Sequence, residues 1–417
     1  MLLRSSPILE YSPTALLILT FIGSTTAFVA ATSGLVQNDL KRIVAFSTIS
    51  QLGYMMMAVG LSQYNVALFH VINHSFFKAL LFLACGSIIH SAGDQQDVRR
   101  LGGLIKFLPV TYSLMLIGTV SLMALPFVSG YYSKDLILEL AYSRYSFSGV
   151  YAFILGSLTA FLTAFYSFRL ISLVFLTKPN GPKESYLNSH ESSIIILLPM
   201  LILALFSIFF GYIFSDLFVG IGTDFNSGAV SSALFIHPDN ITLVEAEFSL
   251  PILIKLLPTI LSVIGALLAI YMYNKNIYFI IKLTETVFFS KLYTFLNSKY
   301  FFDVIYNNYI ISQGFKYGYK VSEELDKGVI ELVGPYGLSN FLIETAKNIA
   351  KLDTGLIPSY IVYIITGFIF LILLTFAPLV TGISFAEPIR LLILYITTLY
   401  FILKFLRFEG RGLSSRL

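Results

Sequence analysis

The stretch from Asn65 to His90 reads NVALFHVINHSFFKALLFLACGSIIH and is long and apolar enough to cross a membrane as one helix. At about 1.5 Å of rise per residue, roughly 20 residues cross the roughly 30 Å of hydrocarbon in a bilayer. Apolar runs of this length recur along the whole chain, whereas the short alternating segments that build a membrane β-barrel are absent. The sequence therefore predicts an all-α fold, a polytopic transmembrane helix bundle.

Hydropathy predicts spanning segments in two blocks. The first block has short connections, and its predicted spans are Thr14–Leu35, Arg42–Leu61, Asn65–Ser91, Leu108–Ser129, Leu136–Ala141 and Val150–Leu176. The second block has longer and more polar connections, and its predicted spans are Ser193–Phe214, Pro251–Tyr273, Tyr360–Val380 and Ile389–Phe405. The turn formers and charges of KPNGPKESY, residues 178–186, separate the two blocks.

Composition argues against several classes of function. Only 12% of the residues are charged and 56% are hydrophobic, against about 25% charged in an ordinary soluble domain. The net charge of +4 is small, and Lys and Arg are spread between the apolar runs, so no nucleic acid partner is expected. Cys85 is the one cysteine and has no companion for a disulfide or metal site, so it is interpreted as a packing residue.

The apolar stretch from Asn65 to His90 carries three ionisable side chains at a spacing of four residues, namely His70, His74 and Lys78. Four residues advance a helix by about 400°, so the three share one face. A charge near the bilayer centre costs roughly 2.5–3.5 kcal/mol, so such a row faces a wet or protein interior and can pass protons. Two other readings are packing histidines with a Lys78 that snorkels to the interface, and a zinc site on the two histidines.

A second candidate site is LPFVSGYYSKDLILEL, residues 125–140, where Pro126 and Gly130 interrupt an apolar segment around Lys134 and Asp135. A broken helix at membrane depth is tolerated where it lines a cavity or is buried in protein. A loop with Lys134 and Asp135 solvated at its end fits the same residues.

Two further features carry polar groups. Lys41 and Arg42 open a helix with Ser47, Thr48, Ser50 and Gln51, which either bind water or hold helices together. Arg169, in FYSFRLISLVF, is expected to have a structural or lipid-headgroup role.

The region from Pro335 to Asp353 predicts an amphipathic helix after a break at Pro335. Apolar residues take one face and polar residues the other: Leu338, Phe341, Leu342, Thr345, Ile349 and Leu352 against Asn340, Glu344, Lys347 and Lys351. Such a helix either lies along other apolar protein or anchors only its own chain at the interface.

Five motifs together resemble the subunit 5 family of the proton-pumping NADH:ubiquinone oxidoreductase, respiratory complex I, in its mitochondrial form. They are NDLKRIVAFSTISQLGYM (38–55), LFHVINHSFFKALLFLACGSIIH (68–90), QDVRRLGGL (96–104), LPFVSGYYSKD (125–135) and KYFFDVIYNNYI (299–310). The first four are shared with subunits of multisubunit cation/proton antiporters, which gives the alternative function. A membrane scaffold without transport is a third class.

The resemblance implies an antiporter-like five-helix repeat with a broken helix, followed by further transmembrane helices and a lateral helix. The implied domains are the second antiporter-like repeat at 1–177, additional transmembrane helices and loops at 178–275, a connecting region with the amphipathic lateral helix at 276–358, and C-terminal anchor helices at 359–417. Matching positions imply that His70, His74 and Lys78 form a central polar axis, that Lys134 is the proton-carrying Lys of the broken helix, and that Lys41 lies near the connection from the first half.

The resemblance also implies partners. These are the other membrane-arm subunits of complex I, lipids, and a separate chain or missing segment that supplies the first antiporter-like repeat, because MLLRSSP resembles sequence that lies between the repeats in the family. No redox centre, metal or cofactor is expected in this chain; the complex is expected to carry FMN, iron–sulfur clusters and ubiquinone elsewhere. The expected location is the mitochondrial inner membrane, with a bacterial plasma membrane as the alternative.

Overall fold

Helices account for the regular structure of residues 1–187, 189–220, 234–240 and 242–381, which the computed structural model describes. In these ranges there is no β-strand, only one isolated bridge between Asp39 and Asp97. The chain packs as two units, residues 1–307 and a second unit from Asn308 onward. The predicted domain boundaries after residues 177, 275 and 358 stay predictions.

The first unit contains helices of very different length. They are α1 Ser6–Glu10, α2 Pro13–Val36, α3 Leu40–Gly60, α4 Tyr64–Ser91, α5 Pro109–Leu122, α6 Leu136–Ser143, α7 Phe147–Ile171, α8 Lys183–Leu187, α9 Ile194–Val219, α10 Leu243–Phe248, α11 Ile252–Asn274, α12 Ile277–Glu285, α13 Val287–Asn297 and α14 Phe302–Ile305. Within the described residues, six helices are long and apolar enough to cross a membrane, and they are α2, α3, α4, α7 with its extension to Leu176, α9 and α11. The predicted spans in these regions are confirmed as helices.

The predicted single span Leu108–Ser129 is wrong. Helix α5 ends at Leu122, and Ala124 and Phe127 have φ of 60° and 73°, in the left-handed region that a helix cannot continue through. Helical structure resumes as a π-helical turn at Tyr131–Asp135 that leads into α6. The expected broken helix is therefore present.

Small residues bring α2 and α3 together. A Cβ placed on Gly23 would lie 2.5 Å from the backbone N of Met57, and one on Gly53 would lie 2.6 Å from the backbone N of Ala27. Small residues at a helix interface permit this close backbone approach. The two helices therefore pack with their backbones in contact, and this fixes their register.

Lys and Arg gather at one end of the first unit, which we call the basic end. The connections after α2, α4, α7 and α11 meet there, because successive long helices run in alternate directions; backbone bonds from Leu40 to Gln96 and from Val98 to Asn38 join two of them. The basic end carries Lys41, Arg42, Arg99, Arg100, Lys106, Lys178, Lys183 and Lys275. The opposite end carries Arg4, Arg144 and, in the first turn of α11, Lys255.

The second unit is helical in the region predicted to be amphipathic. It contains α15 Ser312–Val321, a π-helical stretch Ser322–Ile330, α16 Glu331–Val333, α17 Pro335–Ala350 and α18 Ile357–Thr381. Gly334, with ψ of −124°, interrupts the helix directly before Pro335, so the predicted break is confirmed. The predicted span Tyr360–Val380 lies within α18, and Ile389–Phe405 lies outside the described residues.

Candidate functional site

Lys78 lies in the interior of the bundle. Its side chain is 5% exposed, and its Nζ donates to the carbonyl of Val44 at 2.5 Å and to the hydroxyl of Ser47, both on α3. The snorkelling alternative is therefore wrong, because the ammonium points at α3 and not at the membrane surface. Ser47, which the sequence predicted either to bind water or to hold helices together, accepts a hydrogen bond from this ammonium and so joins α3 to α4.

His70 and His74 precede Lys78 on the same face of α4, as the spacing predicts. His70 is fully buried and bonds Ser133 Oγ at 2.9 Å through Nδ1 and Gln51 Oε1 at 3.1 Å through Nε2. The His74 ring lies 6.1 Å from the His70 ring, centroid to centroid. His70 thus joins α4 to α3 and to the broken helix.

Lys134 is 1% exposed and Asp135 is 4% exposed, so the alternative of a solvated loop is wrong. The Lys134 Nζ donates to Thr163 Oγ1 on α7 at 3.0 Å and approaches the carbonyl of Leu122 at 3.5 Å, where α5 ends. It also lies 5.3 Å from the ring centroid of Tyr54, within range of a cation–π interaction. The break in the helix thus places Lys134 between the end of α5 and the middle of α7.

A small cavity lies between the two lysine sites. Its lining includes Ser47, which binds Lys78, and Leu122, whose carbonyl faces Lys134, together with Thr119 and Tyr166. Its volume of about 10 Å³ is at the lower limit for one water molecule. Neither lysine lines the cavity itself; each is one contact away from it, Lys78 through Ser47 and Lys134 through Leu122.

Several buried polar atoms around this axis have no hydrogen-bond partner within the described residues. They are Gln51 Nε2, both side-chain atoms of Asn73, His74 Nε2, Asp135 Oδ2, Tyr166 Oη and Ser172 Oγ. Buried polar atoms are nearly always bonded, to protein or to ordered water. These atoms are therefore the positions at which the bundle interior calls for ordered water.

Lys41 is not brought together with the four buried residues. It lies exposed in the first turn of α3 at the basic end.

Arg169 is 5% exposed and binds backbone and amide oxygens at the α2–α3 connection, so its structural role is confirmed.

Sequence reasoning missed Thr163, Tyr166 and Glu10. Thr163 and Tyr166 stand in an apolar helix with nothing in their own sequence to mark them. Glu10, on α1, accepts hydrogen bonds from Tyr64 Oη, the backbone N–H of His237 and Asn240 Nδ2 at 2.8, 3.0 and 2.8 Å. Burial raises the pKa of Glu10, but these bonds outweigh burial and the pKa is lowered below 4.5. Its partners lie more than 50 residues away, which no local pattern reveals.

No group of three or more His, Cys, Asp or Glu side chains converges on a metal position in the described part of the chain. Both ring nitrogens of His70 are already engaged by Ser133 and Gln51. The geometry thus favours proton exchange along hydroxyls and imidazoles over the zinc alternative.

Comparison with known proteins adds two family matches. Residues 1–163 match the transmembrane family described as NADH:quinone oxidoreductase/Mrp antiporter. Residues 166–224 and 226–375 match the family described as NADH dehydrogenase subunit 5 C-terminus. The second match covers half of the chain.

Two relatives of known name and one solved structure show how far the similarity extends. NADH-ubiquinone oxidoreductase chain 5 of Schizophyllum commune is 64% identical over 399 residues, which is 96% of this chain and 58% of the relative. The Arabidopsis thaliana protein of the same name is 45% identical over 371 residues, 88% of this chain and 54% of the relative. A chain of the membrane-bound sulfane sulfur reductase, an archaeal respiratory membrane complex, is similar over 48% of this chain and 32% of its own, with 28% identity and a TM-score of 0.44. The chain thus spans less than two thirds of the length of the two chain 5 relatives.

Proposed function

The chain belongs to the NADH dehydrogenase subunit 5 family, and from that premise we propose that it translocates protons as a core membrane subunit of respiratory complex I. The observation that carries the proposal is the burial of two lysines, Lys78 and Lys134, inside an apolar bundle, with a small cavity lined by one contact residue of each, Ser47 and Leu122. The cation/proton antiporter alternative is not favoured, because the match from residue 166 to 375 is to subunit 5.

The proposed path uses groups that both donate and accept a proton. From Lys78 the path leads through the Ser47 hydroxyl and, by way of the cavity and the Tyr166 hydroxyl that lines it, to the Thr163 hydroxyl that binds Lys134, while the carbonyls of Val44 and Leu122 only hold the ammonium groups. His70, bonded to Ser133 next to Lys134, and His74 extend the path along α4.

Neither buried lysine forms an ion pair with a carboxylate among the described residues; the ion pairs found there all involve other groups. An unpaired charge in a low-dielectric interior is costly, and this cost favours transfer of the proton away from either ammonium group. Conformational change in the rest of the assembly would only need to alter the cavity to drive transfer. Lys41, at the basic end, is proposed to lead protons toward the axis.

The energy is proposed to come from NADH-to-ubiquinone electron transfer elsewhere in the complex, with FMN, iron–sulfur clusters and ubiquinone outside this chain. The proposed partners are lipids, other membrane-arm subunits and a helical bundle that supplies the first antiporter-like repeat, in this polypeptide or in another. Helix α9 supports such packing, because only 22% of its apolar window is buried in the described chain. The chain is a multi-pass protein of the inner mitochondrial membrane.

Substitution of each buried lysine tests the proposal. Lys134→Ala and Lys78→Ala are expected to lower the protons pumped per NADH oxidised by about tenfold or more, because each removes a proton-carrying group, and a positioned acid or base typically contributes about 10²-fold or more to the rate of proton transfer. The measurement is proton uptake and NADH oxidation in sealed membranes that hold the assembled complex. Lys106→Ala, at an exposed lysine of the basic end, is the control. Assembled Lys134→Ala and Lys78→Ala complexes that both pump at the wild-type ratio would refute the function.

A further inference from the structure

Arg169 bridges α7 to the α2–α3 connection through a backbone carbonyl and a side-chain amide. Its Nη1 donates to the backbone carbonyl of Gln37 at 2.7 Å and its Nη2 donates to Asn38 Oδ1 at 3.1 Å. The guanidinium also lies 5.7 Å from the ring centroid of Tyr273, at the end of α11. Among the described residues it has no carboxylate partner in an ion pair, so this cation is held by neutral oxygens and an aromatic ring.

The same two residues bind the surface segment 287–301 on their other side. Asn38 Nδ2 donates to Tyr293 Oη at 2.9 Å, and Gln37 Nε2 donates to the carbonyl of Asn297 at 3.3 Å. Each of the two residues thus accepts from Arg169 with one oxygen and donates to the surface segment with its side-chain amide nitrogen.

A third contact holds the end of the surface segment. Lys299, Tyr300 and Phe301 have φ of 54°, 58° and 57°, and such left-handed conformations cost roughly 1–2 kcal/mol each. The Tyr300 hydroxyl bonds Thr32 Oγ1 on α2 at 2.8 Å, and its ring packs on Phe295 with centroids 4.6 Å apart. Three strained residues in sequence require tertiary contacts to hold them, so this turn docks at a defined place on α2.

We infer that Arg169 is a positioning residue that seats the surface segment 287–301 on the α2–α3 connection and so links that segment, through α7, to Lys134. Thr163, which binds the Lys134 ammonium, precedes Arg169 by six residues on α7, about 9 Å along the helix. A shift of the surface segment would therefore be passed by Gln37 and Asn38 to Arg169. From Arg169 it would reach Thr163 along α7. The inference rests on the proposed function, because the role of Lys134 is part of it.

Arginine is needed at this position for geometric reasons. Its planar fork donates to two acceptors at once while its face stacks on a ring, whereas lysine offers a single rotating ammonium. Arg169→Lys keeps the charge and is expected to retain part of the effect. Arg169→Gln keeps neither the fork nor the charge.

Two measurements on the assembled complex test the inference. Arg169→Gln is expected to lower the protons pumped per NADH oxidised by about tenfold, as expected for loss of charged hydrogen bonds, with NADH oxidation retained and Arg169→Lys in between. The second measurement is maleimide labelling of a cysteine introduced as Leu296→Cys, which lies half-buried in α13. Its labelling is expected to become several-fold faster in the Arg169→Gln background. The one native cysteine, Cys85, is fully buried and gives little background.

The controls separate the possible outcomes. Phe288→Cys, at a side chain 71% exposed, is expected to label equally fast with Arg169 or Gln at position 169. A wild-type pumping ratio in Arg169→Gln, or a reduced ratio with unchanged labelling of Leu296→Cys, would overturn the inference. If Arg169→Gln fails to assemble, the second variant is Tyr293→Phe, which removes only the hydroxyl bound by Asn38. This variant is expected to change both measurements in the same directions, and a lack of change in them would overturn the inference. Normal pumping by Lys134→Ala and Lys78→Ala would instead reject the proposed function itself.

Discussion

At the scale of single residues, each buried ammonium group here donates to neutral oxygens on other helices. Lys78 is held by Val44 and Ser47, and Lys134 by Thr163 and Leu122. These partners are weaker than carboxylates, which suits the proposed release of a proton by each lysine. A carboxylate in the same place would stabilise the charged form and oppose release.

Loss of the Ser47 hydroxyl is expected to impair pumping and leave assembly intact. A hydrogen bond to a charged group contributes roughly 1.5–3 kcal/mol, so Ser47→Ala should lower the pumping rate by about tenfold. Ser75→Ala is the matched control on α4, because Ser75 is exposed and bonds only the carbonyl of Ile72 in its own helix. Equal pumping rates in sealed membranes for the two variants would exclude Ser47 from the path.

At the scale of secondary structure elements, the broken helix depends on close backbone contact. A Cβ on Gly130 would lie 1.8 Å from the carbonyl oxygen of Ser121, one residue before the end of α5. The segment after the break can therefore return to α5 only with glycine there. This contact sets the place of the π-helical turn and hence of Lys134.

Gly130→Ala is accordingly expected to destabilise the protein strongly, because backbone carbonyl atoms cannot move aside as a flexible side chain can. The expected loss is about 3 kcal/mol or more, at the upper end of single substitutions, and is measured as a drop in thermal stability or in yield of the assembled complex. Gly86→Ala is the control, since a Cβ there would meet nothing within 4 Å. Equal stability of the two variants would contradict the close contact.

At the scale of the whole molecule, charge and apolar surface have separate places in the first unit. Most Lys and Arg residues at the helix ends and connections of this unit gather at the basic end, and the apolar side chains of α9 and α11 remain largely exposed along the helices. Such a distribution fits a bundle inside a larger membrane assembly, with apolar faces against lipid or neighbouring helices.

The basic end is expected to face the compartment from which the chain is inserted, since loops rich in Lys and Arg are retained there. For a chain made inside the mitochondrion this is the matrix. In intact mitochondria, a cysteine introduced as Lys106→Cys should resist a membrane-impermeant maleimide that labels Arg4→Cys. Labelling in inside-out vesicles should reverse, and the opposite pattern in both preparations would reject this orientation.

The sequence alone was enough to predict much of this architecture, because the information is local. Length and hydropathy predicted the long helices, the four-residue spacing placed His70, His74 and Lys78 on one face, and Pro126 with Gly130 indicated the break. The same local reasoning extended α5 to Ser129, since apolar composition does not reveal the left-handed residues Ala124 and Phe127.

Only the tertiary structure decided which helices meet around those residues. Ser47 and Thr163 lie 31 and 29 residues from the lysines they bind, and Gln37 lies 132 residues from Arg169. Such pairs depend on the register in which whole helices pack, which is set by backbone contacts such as that of Gly23 with Met57. The sequence around a hydroxyl or amide in an apolar helix does not predict which distant residue it binds. The cavity near the Lys78 and Lys134 sites and the bridge through Asn38 therefore could be recognised only in the packed bundle.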